Sequence, residues 1–310
     1  MTVCIAAICT YQGVGVIVGA SDRLVTYGDV EYEQSDPKIL RLASHTVALI
    51  AGSPADHTTI VQRSRLRISL LMSPTVEQIA NIYADEFANL RRFRAERKHL
   101  WPVGLSIWTF LSNQTSLSPD ASSRLARLLE NECLESSAII AGADQFGVHI
   151  YVVSDPGEAQ CCDLDGWAAI GSGCRHADLQ FIVAKYHPRW EFEDAFLMTY
   201  LAKKKADITP GVGATTDQFW ITPGDQYRLL EPDAPIVVQV QKLHERIEEN
   251  AKREVEEARG SIREWVRNEI SGNKPQGQQQ IETETAGGAE AASDDTQGIS
   301  GGSTEGQPKD

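Results

Sequence analysis

Apolar and β-branched residues run from Thr2 to Cys9, break at Thr10-Tyr11-Gln12-Gly13 and resume from Val14 to Ala20. Two such runs around a glycine-bearing turn predict a β-hairpin that begins with the first residues of the chain. Lys38 to Ala51 holds two more strand-like pieces, Ile39-Leu40-Arg41-Leu42 and Thr46 to Ile50. Gly52-Ser53-Pro54 then ends the sheet and opens a helix, with Ser53 as cap and Pro54 at the first position. A helical stretch covers Thr58 to Met72. Another, capped by Ser73-Pro74, carries Val76, Ile79, Ala80, Tyr83, Phe87 and Leu90 at spacings of three and four. It ends in Arg91, Arg92, Arg94, Arg97 and Lys98, which read as a solvated helix end or a subunit contact.

Leu100 to Glu135 is a mixed insertion with a short helix, Ala121 to Cys133. Strands are predicted at Ala138 to Gly142 and Gly147 to Val153 around an Asp144-Gln145 turn. A third, Ala168-Ala169-Ile170, ends at Gly171-Ser172-Gly173. Helices follow to about Tyr186 and over Phe192 to Ala206, then strands at Asp217 to Ile221 and Tyr227 to Leu230. This order fits a layered α+β fold, with helices on both sides of stacked sheets, better than alternating βαβ units. Val240, Leu243, Ile247, Ala251, Val255, Ala258, Ile262 and Trp265 continue the three-four stepping in a charged background. They predict one long amphipathic helix over 231–271, of a kind that can coil with a neighbour. Residues 272–310 have almost no large apolar side chain, and a disordered acidic tail is expected. Residues 1–230 form the main domain.

Composition narrows the function classes. The chain has 310 residues, 42% hydrophobic and 23% charged, within the ordinary range for a globular protein. Its formal net charge of −14 argues against a general nucleic-acid binder, which needs a basic face. No apolar run approaches the roughly 18 residues of a membrane helix. Met1-Thr2-Val3 lacks a basic signal-peptide start, so a cytoplasmic protein with reduced thiols is expected. The cysteines, Cys4, Cys9, Cys133, Cys161, Cys162 and Cys174, form no Cys-x-x-Cys and read as small apolar residues rather than zinc ligands. Gly13-Val14-Gly15 and Gly211-Val212-Gly213 lack the spacing and context of a dinucleotide fingerprint. No cofactor or metal is expected.

The chemistry sits at the start. Removal of Met1 would expose Thr2 as the N-terminus, with a nucleophilic hydroxyl and a basic α-amine on one residue. The unperturbed amine has a pKa of about 7.7–8.0, suited to general-base work near neutrality. By itself a Met-Thr start says little. Four further segments give it weight: Gly19-Ala20-Ser21-Asp22-Arg23, Asp36-Pro37-Lys38-Ile39-Leu40, Ala51-Gly52-Ser53-Pro54-Ala55-Asp56 and Ile170-Gly171-Ser172-Gly173. In order and spacing they resemble the proteasome β-subunit family and its bacterial relatives, over roughly Thr2 to Leu230.

The resemblance implies a four-layer αββα sandwich of the N-terminal nucleophile hydrolase type and a threonine-type endopeptidase acting on unfolded polypeptides. Thr2 would be the nucleophile. Lys38 would lie beside it and keep the amine neutral by like-charge repulsion, with Asp22 holding Lys38 charged and oriented. The N–H of Gly52 would stabilise the oxyanion, and Ser172 would join the network around the amine. Asp207 stands where the family has a supporting Asp, with Thr209 where a Ser is usual. By the same spacing Val25 and Ile50 would line the pocket for the residue before the cut. Such a floor favours medium apolar side chains, unless Asp36 points inward. A homo-oligomeric ring or spiral around an inner chamber is implied, while no ATPase partner can be read from the chain.

The sequence also departs from the family. Arg23 directly follows Asp22 where the family has Asp-x-Arg, so an alternative register puts Ser21 in the Asp position. The 16 positions from Asp22 to Lys38 argue for Asp22. The first hairpin is longer than usual, the leader is Met1 alone, and the long helix and tail lie outside the resemblance. His57 and His176 tempt a Ser–His reading, but without a nucleophile elbow both read as structural or exposed. A small-molecule amide hydrolase on the same fold, or a catalytically silent proteasome-like structural protein, are the competing readings.

Overall fold

The N-terminal hairpin forms as predicted: β1 (Cys4–Tyr11) and β2 (Val14–Ser21) turn at Gln12 and Gly13, both at positive φ. The structure is a computed structural model that describes residues 2–27, 30–223 and 226–271. Met1 and the acidic tail expected to be disordered lie outside the described residues. The chain divides into two units, Met1–Glu245 and Arg246–Asp310.

The first unit is a mixed α+β structure with two five-stranded antiparallel sheets. One sheet has the order β10-β1-β2-β11-β12, adding β10 (Trp167–Ile170), β11 (Asp217–Thr222) and β12 (Gln226–Leu230) to the hairpin. The other runs β5-β6-β7-β8-β9: Ile39–Ala43, Thr46–Ala51, Ser137–Asp144, Gly147–Ser154 and Glu158–Cys161. A two-stranded ribbon, β3 (Leu24–Tyr27) and β4 (Val30–Glu33), was not legible in the hydropathy pattern. β4 is exposed along its length, so no buried face marks it.

Period-two alternation explains why the central strands are apolar at nearly every position. Along β1, Ile5, Ala7 and Cys9 join one core cluster, whereas Cys4, Ala6 and Ile8 join another. The first cluster packs that sheet against α5 (Cys174–Val183) and α6 (Phe192–Ala206) through Ala177, Phe181, Phe196 and Tyr200. The second combines inward residues of both sheets, with Val47, Leu49, Ile139 and Ala141 meeting Ile17 and Phe219. A third sets Ala48, Ala138 and Ile140 against α1 (Pro54–Ile68) and α2 (Val76–Ala95). Full burial of each such Ile, Leu or Phe contributes about 1.5–3 kcal/mol, so a charge at Ala6 would break the joint between the sheets.

Helix boundaries differ from the pattern for local reasons. α1 starts at Pro54, so the segment read as Thr58 to Met72 is shifted toward the N-terminus. α2 is capped by Thr75 rather than Ser73-Pro74: Thr75 and Gln78 form a reciprocal capping box, and Ser73 lies at φ 50. The insertion holds α3 (Ile107–Ser112) and α4 (Pro119–Glu130). The basic cluster ending α2 is largely engaged within the chain. Arg91 donates to the Glu132 carbonyl at 2.6 Å, Lys98 pairs with Glu132 at 2.8 Å, and Arg94 forks onto buried Asp56. α7 (Pro235–Ile270) realises the long helix, and its first turns contribute Val237 and Val240 to the first cluster. In the second unit its surface carries ion pairs such as Arg259–Glu256. No helix among the described residues is long and apolar enough to cross a membrane.

Candidate active site

Strand register brings the ends of four strands to one place. Cys4 lies opposite Ser21 of β2 and Ile170 of β10. Thr2, two residues before Cys4, therefore meets Asp22 on one side and Gly171-Ser172 on the other. From the second sheet, Lys38 immediately precedes β5, and its carbonyl accepts the Ile50 N–H at 3.0 Å. Gly52 follows directly after β6.

Thr2, Asp22 and Lys38 are all buried. Lys38 Nζ donates to Thr2 Oγ1 at 2.5 Å, to the two Asp22 oxygens at 3.0 and 3.1 Å, and to the Leu24 carbonyl. The Thr2 hydroxyl also bonds to Asp22 Oδ1. Asp22 further accepts the N–H groups of Val3, Leu24 and Gly213, each at 3.0 Å. A fully buried carboxylate needs such a shell of donors, and here backbone and cation both supply it. Of the two candidate registers, Asp22 is the residue in this cluster. Ser21 Oγ is buried with no hydrogen-bond partner among the described residues.

On the other side of Thr2, its backbone nitrogen donates to Ser172 Oγ at 3.2 Å, and Ser172 Oγ donates to the Thr2 carbonyl at 3.4 Å. The Gly173 N–H reaches the same carbonyl at 3.2 Å. Gly52 has φ 108, and a Cβ there would sit 2.6 Å from the Glu135 carbonyl oxygen and Ser136 Oγ. Only glycine fits this bend.

Two hollows meet at Thr2. One, of about 160 Å³, is walled by Leu24, Val25, Leu40, Ile50 and Pro54, with Asp36 also lining it. The other, of about 560 Å³, is bounded by Gly52, Ser136, Asp155 and Ser172. Val25 and Ile50 thus share a pocket with Thr2, as the spacing anticipates. Asp36 lines it from an exposed position.

Asp207 makes no hydrogen bond to Thr2 among the described residues. It follows α6 and pairs with Lys203 at 2.8 Å and Lys204 at 3.2 Å. His57 is buried at the start of α1, with Nδ1 2.7 Å from the Tyr83 hydroxyl and Nε2 2.9 Å from the Ala51 carbonyl. Burial pushes its pKa below the usual histidine value. His176 is exposed. Cys4 lies beneath the site, its thiol pushed up to about 12 by burial. No group of three or more His, Cys, Asp or Glu that could hold a metal occurs among the described residues.

Sequence reasoning missed the Leu24 carbonyl, the Gly213 N–H and Leu40. Backbone groups leave no residue-type signal. Gly211-Val212-Gly213 carried the one usable hint, a loop able to approach other backbone closely.

The proteasome subunit family model matches residues 6–107, the stretch that carries Asp22, Lys38 and Gly52, and this supports membership of that family. Thr2, Ser172 and Asp207 lie outside the matched segment. No curated protein matches the chain.

Proposed function

We propose that the protein is a threonine-type endopeptidase on a four-layer αββα N-terminal nucleophile hydrolase fold. The observation that carries the reading is the Thr2 hydroxyl, held by both Lys38 and Asp22 at the meeting point of two hollows. Met1 is removed, which frees the Thr2 amine beside Ser172. The amine takes the hydroxyl proton as Oγ1 attacks the substrate carbonyl carbon. Lys38, three-coordinated by Asp22, Thr2 and Leu24, presents positive charge to the developing alkoxide. The Gly52 N–H stabilises the tetrahedral oxyanion. Collapse breaks the peptide C–N bond, and the leaving amine takes the proton from the Thr2 ammonium. Water then hydrolyses the ester, with the same amine as base, and returns the hydroxyl.

The substrate is an unfolded polypeptide, and the working form is a ring or spiral of like subunits in the cytoplasm that encloses these sites. The pocket beside Thr2 takes the side chain before the cut. Leu24, Val25, Leu40, Ile50 and Pro54 give it an apolar part, Thr26, Gln34 and Thr58 a polar one, and Asp36 adds an acidic group at an exposed position. Medium apolar side chains are preferred, with basic ones secondary, because an exposed charge is screened.

Intact-mass measurement of the purified protein, beside hydrolysis of fluorogenic peptides by wild type and Thr2→Ala, tests the reading. Loss of Met1 together with Thr2-dependent hydrolysis supports it. Full retention of Met1 removes the amine and sinks it in favour of a silent structural subunit. Turnover of small amides but of no peptide would instead point to a small-molecule amidase.

A further inference from the structure

Lys203 is a fully buried cation to which the reaction above gives no task. It lies in the last turn of α6, where its ammonium donates to the carbonyls of Gly213 at 2.6 Å and Ala214 at 3.0 Å and pairs with Asp207 at 2.8 Å. The two carbonyls thus take its hydrogen bonds, the Ala214 one shared with Lys204 at 2.8 Å, while Asp207 balances its charge as an ion pair. Both carbonyls belong to the loop between α6 and β11, and the N–H of the same Gly213 donates to Asp22 Oδ2 at 3.0 Å. The loop has little freedom on its far side. A Cβ on Gly213 would lie 2.8 Å from Leu24 Cβ, and Glu33 accepts the Thr215 N–H at 3.1 Å.

We propose that Lys203 is a positioning residue: its ammonium holds the Gly213–Ala214 segment so that the Gly213 N–H stays on Asp22, fixing the carboxylate that orients Lys38. The kinetic consequence rests on the peptidase reading, whereas the loop geometry does not. Burial pushes the pKa of Lys203 down to about 8. Asp207 and the more distant Asp22 oppose that shift, and neighbouring Lys204 adds to it. The charged form is therefore present below about pH 8 and lost above it. A neutral amine loses the ion pair with Asp207 and the charge that strengthens both carbonyl bonds, so the clamp loosens as pH rises. Asp207 lies behind Lys203 in this chain of contacts, which gives it a supporting role through that lysine.

The test combines a crystal structure of Lys203→Met with pH profiles of peptide hydrolysis for wild type, Lys203→Met and Asp207→Asn. In Lys203→Met the Gly213–Asp22 bond should open, and kcat should fall by about tenfold or more with KM little changed, because the pocket walls are untouched. In Asp207→Asn the alkaline limb of kcat should move to lower pH by about half a unit or more, since the charge that favours the ammonium is gone. A purely structural role would leave that limb in place. An intact Gly213–Asp22 bond in Lys203→Met, or an unshifted limb in Asp207→Asn, overturns the proposal. If Lys203→Met does not fold, the Asp207→Asn profile decides. If wild type cleaves no peptide, the peptidase reading fails, and the Lys203→Met structure alone decides the role of the lysine.

Discussion

Gly171 stands against Thr2 with no room for a side chain. A Cβ on Gly171 would lie 2.8 Å from Thr2 Cγ2 and closer still to its carbonyl oxygen, and φ is 92. The turn after β10 therefore carries Thr2 by backbone contact. Gly171→Ala should displace Thr2 and lower kcat by about tenfold or more, with about 1–3 kcal/mol of added strain. Gly104→Ala is the control: its φ is 75 but the space around it is open, so it should add strain without changing kcat. Thermal unfolding and peptide hydrolysis of the two variants check this, and equal activity losses would count against it.

The Thr2–Lys38–Asp22 cluster should behave as a unit. Thr2→Ala, Lys38→Ala and Asp22→Ala should each lower kcat by roughly three orders of magnitude or more, because all three disable one step. Thr2→Ser keeps a hydroxyl and an amine, and should retain partial activity. Ser21→Ala should change kcat less than twofold, since its buried hydroxyl has no partner to lose. Kinetics beside size-exclusion profiles make the comparison. A dead Ser21→Ala with an active Asp22→Ala would reverse the assignment of the two residues.

Specificity follows from the pocket walls. Cleavage after Leu or Val should exceed cleavage after Arg, because Val25, Leu40, Ile50 and Pro54 line the pocket while Asp36 is exposed. Asp36→Asn should reduce the remaining cleavage after Arg by about fivefold at most, the range of an exposed ion pair. Ile50→Ala should enlarge the pocket and shift preference toward aromatic side chains. A peptide panel reads all three, and a wild-type preference for Arg would refute the ranking.

Hydropathy spacing placed most long elements well, because strands buried on both faces and helices with one apolar stripe leave plain patterns. The helix over Phe192 to Ala206 was legible to the residue and the first hairpin to within two residues. The ribbon of Leu24–Tyr27 and Val30–Glu33 was not, since its outer strand is exposed throughout. Of the candidate site, Asp22, Lys38, Gly52, Val25 and Ile50 were singled out by spacing within a resemblance, not by any physical periodicity. The parts built from backbone, such as the Leu24 carbonyl and the Gly213 N–H, were invisible. Their identity depends on where the chain bends, and side-chain type does not record that.

His57 gives the first unit a pH dependence whose sign is fixed by its burial. Desolvation holds its folded-state pKa below the unfolded value of about 6.5, so the unfolded chain binds the proton first. Its stabilising contribution is complete above about pH 7 and is lost as pH falls through 6.5 toward the folded pKa. Charging the ring protonates both nitrogens, so the one facing the Tyr83 hydroxyl can only donate and Tyr83 must turn to accept, whereas the bond to the Ala51 carbonyl favours the charged form. Glu132, whose carboxyl is pulled below its usual range mainly by Lys98, acts only at lower pH and does not blur this window. Urea unfolding of wild type should therefore show a midpoint that drops between pH 7 and pH 5. His57→Gln, less stable at pH 7 but with no proton to gain, should show a flatter dependence across the same interval. Parallel midpoint curves for the two proteins would place the pH dependence elsewhere in the chain.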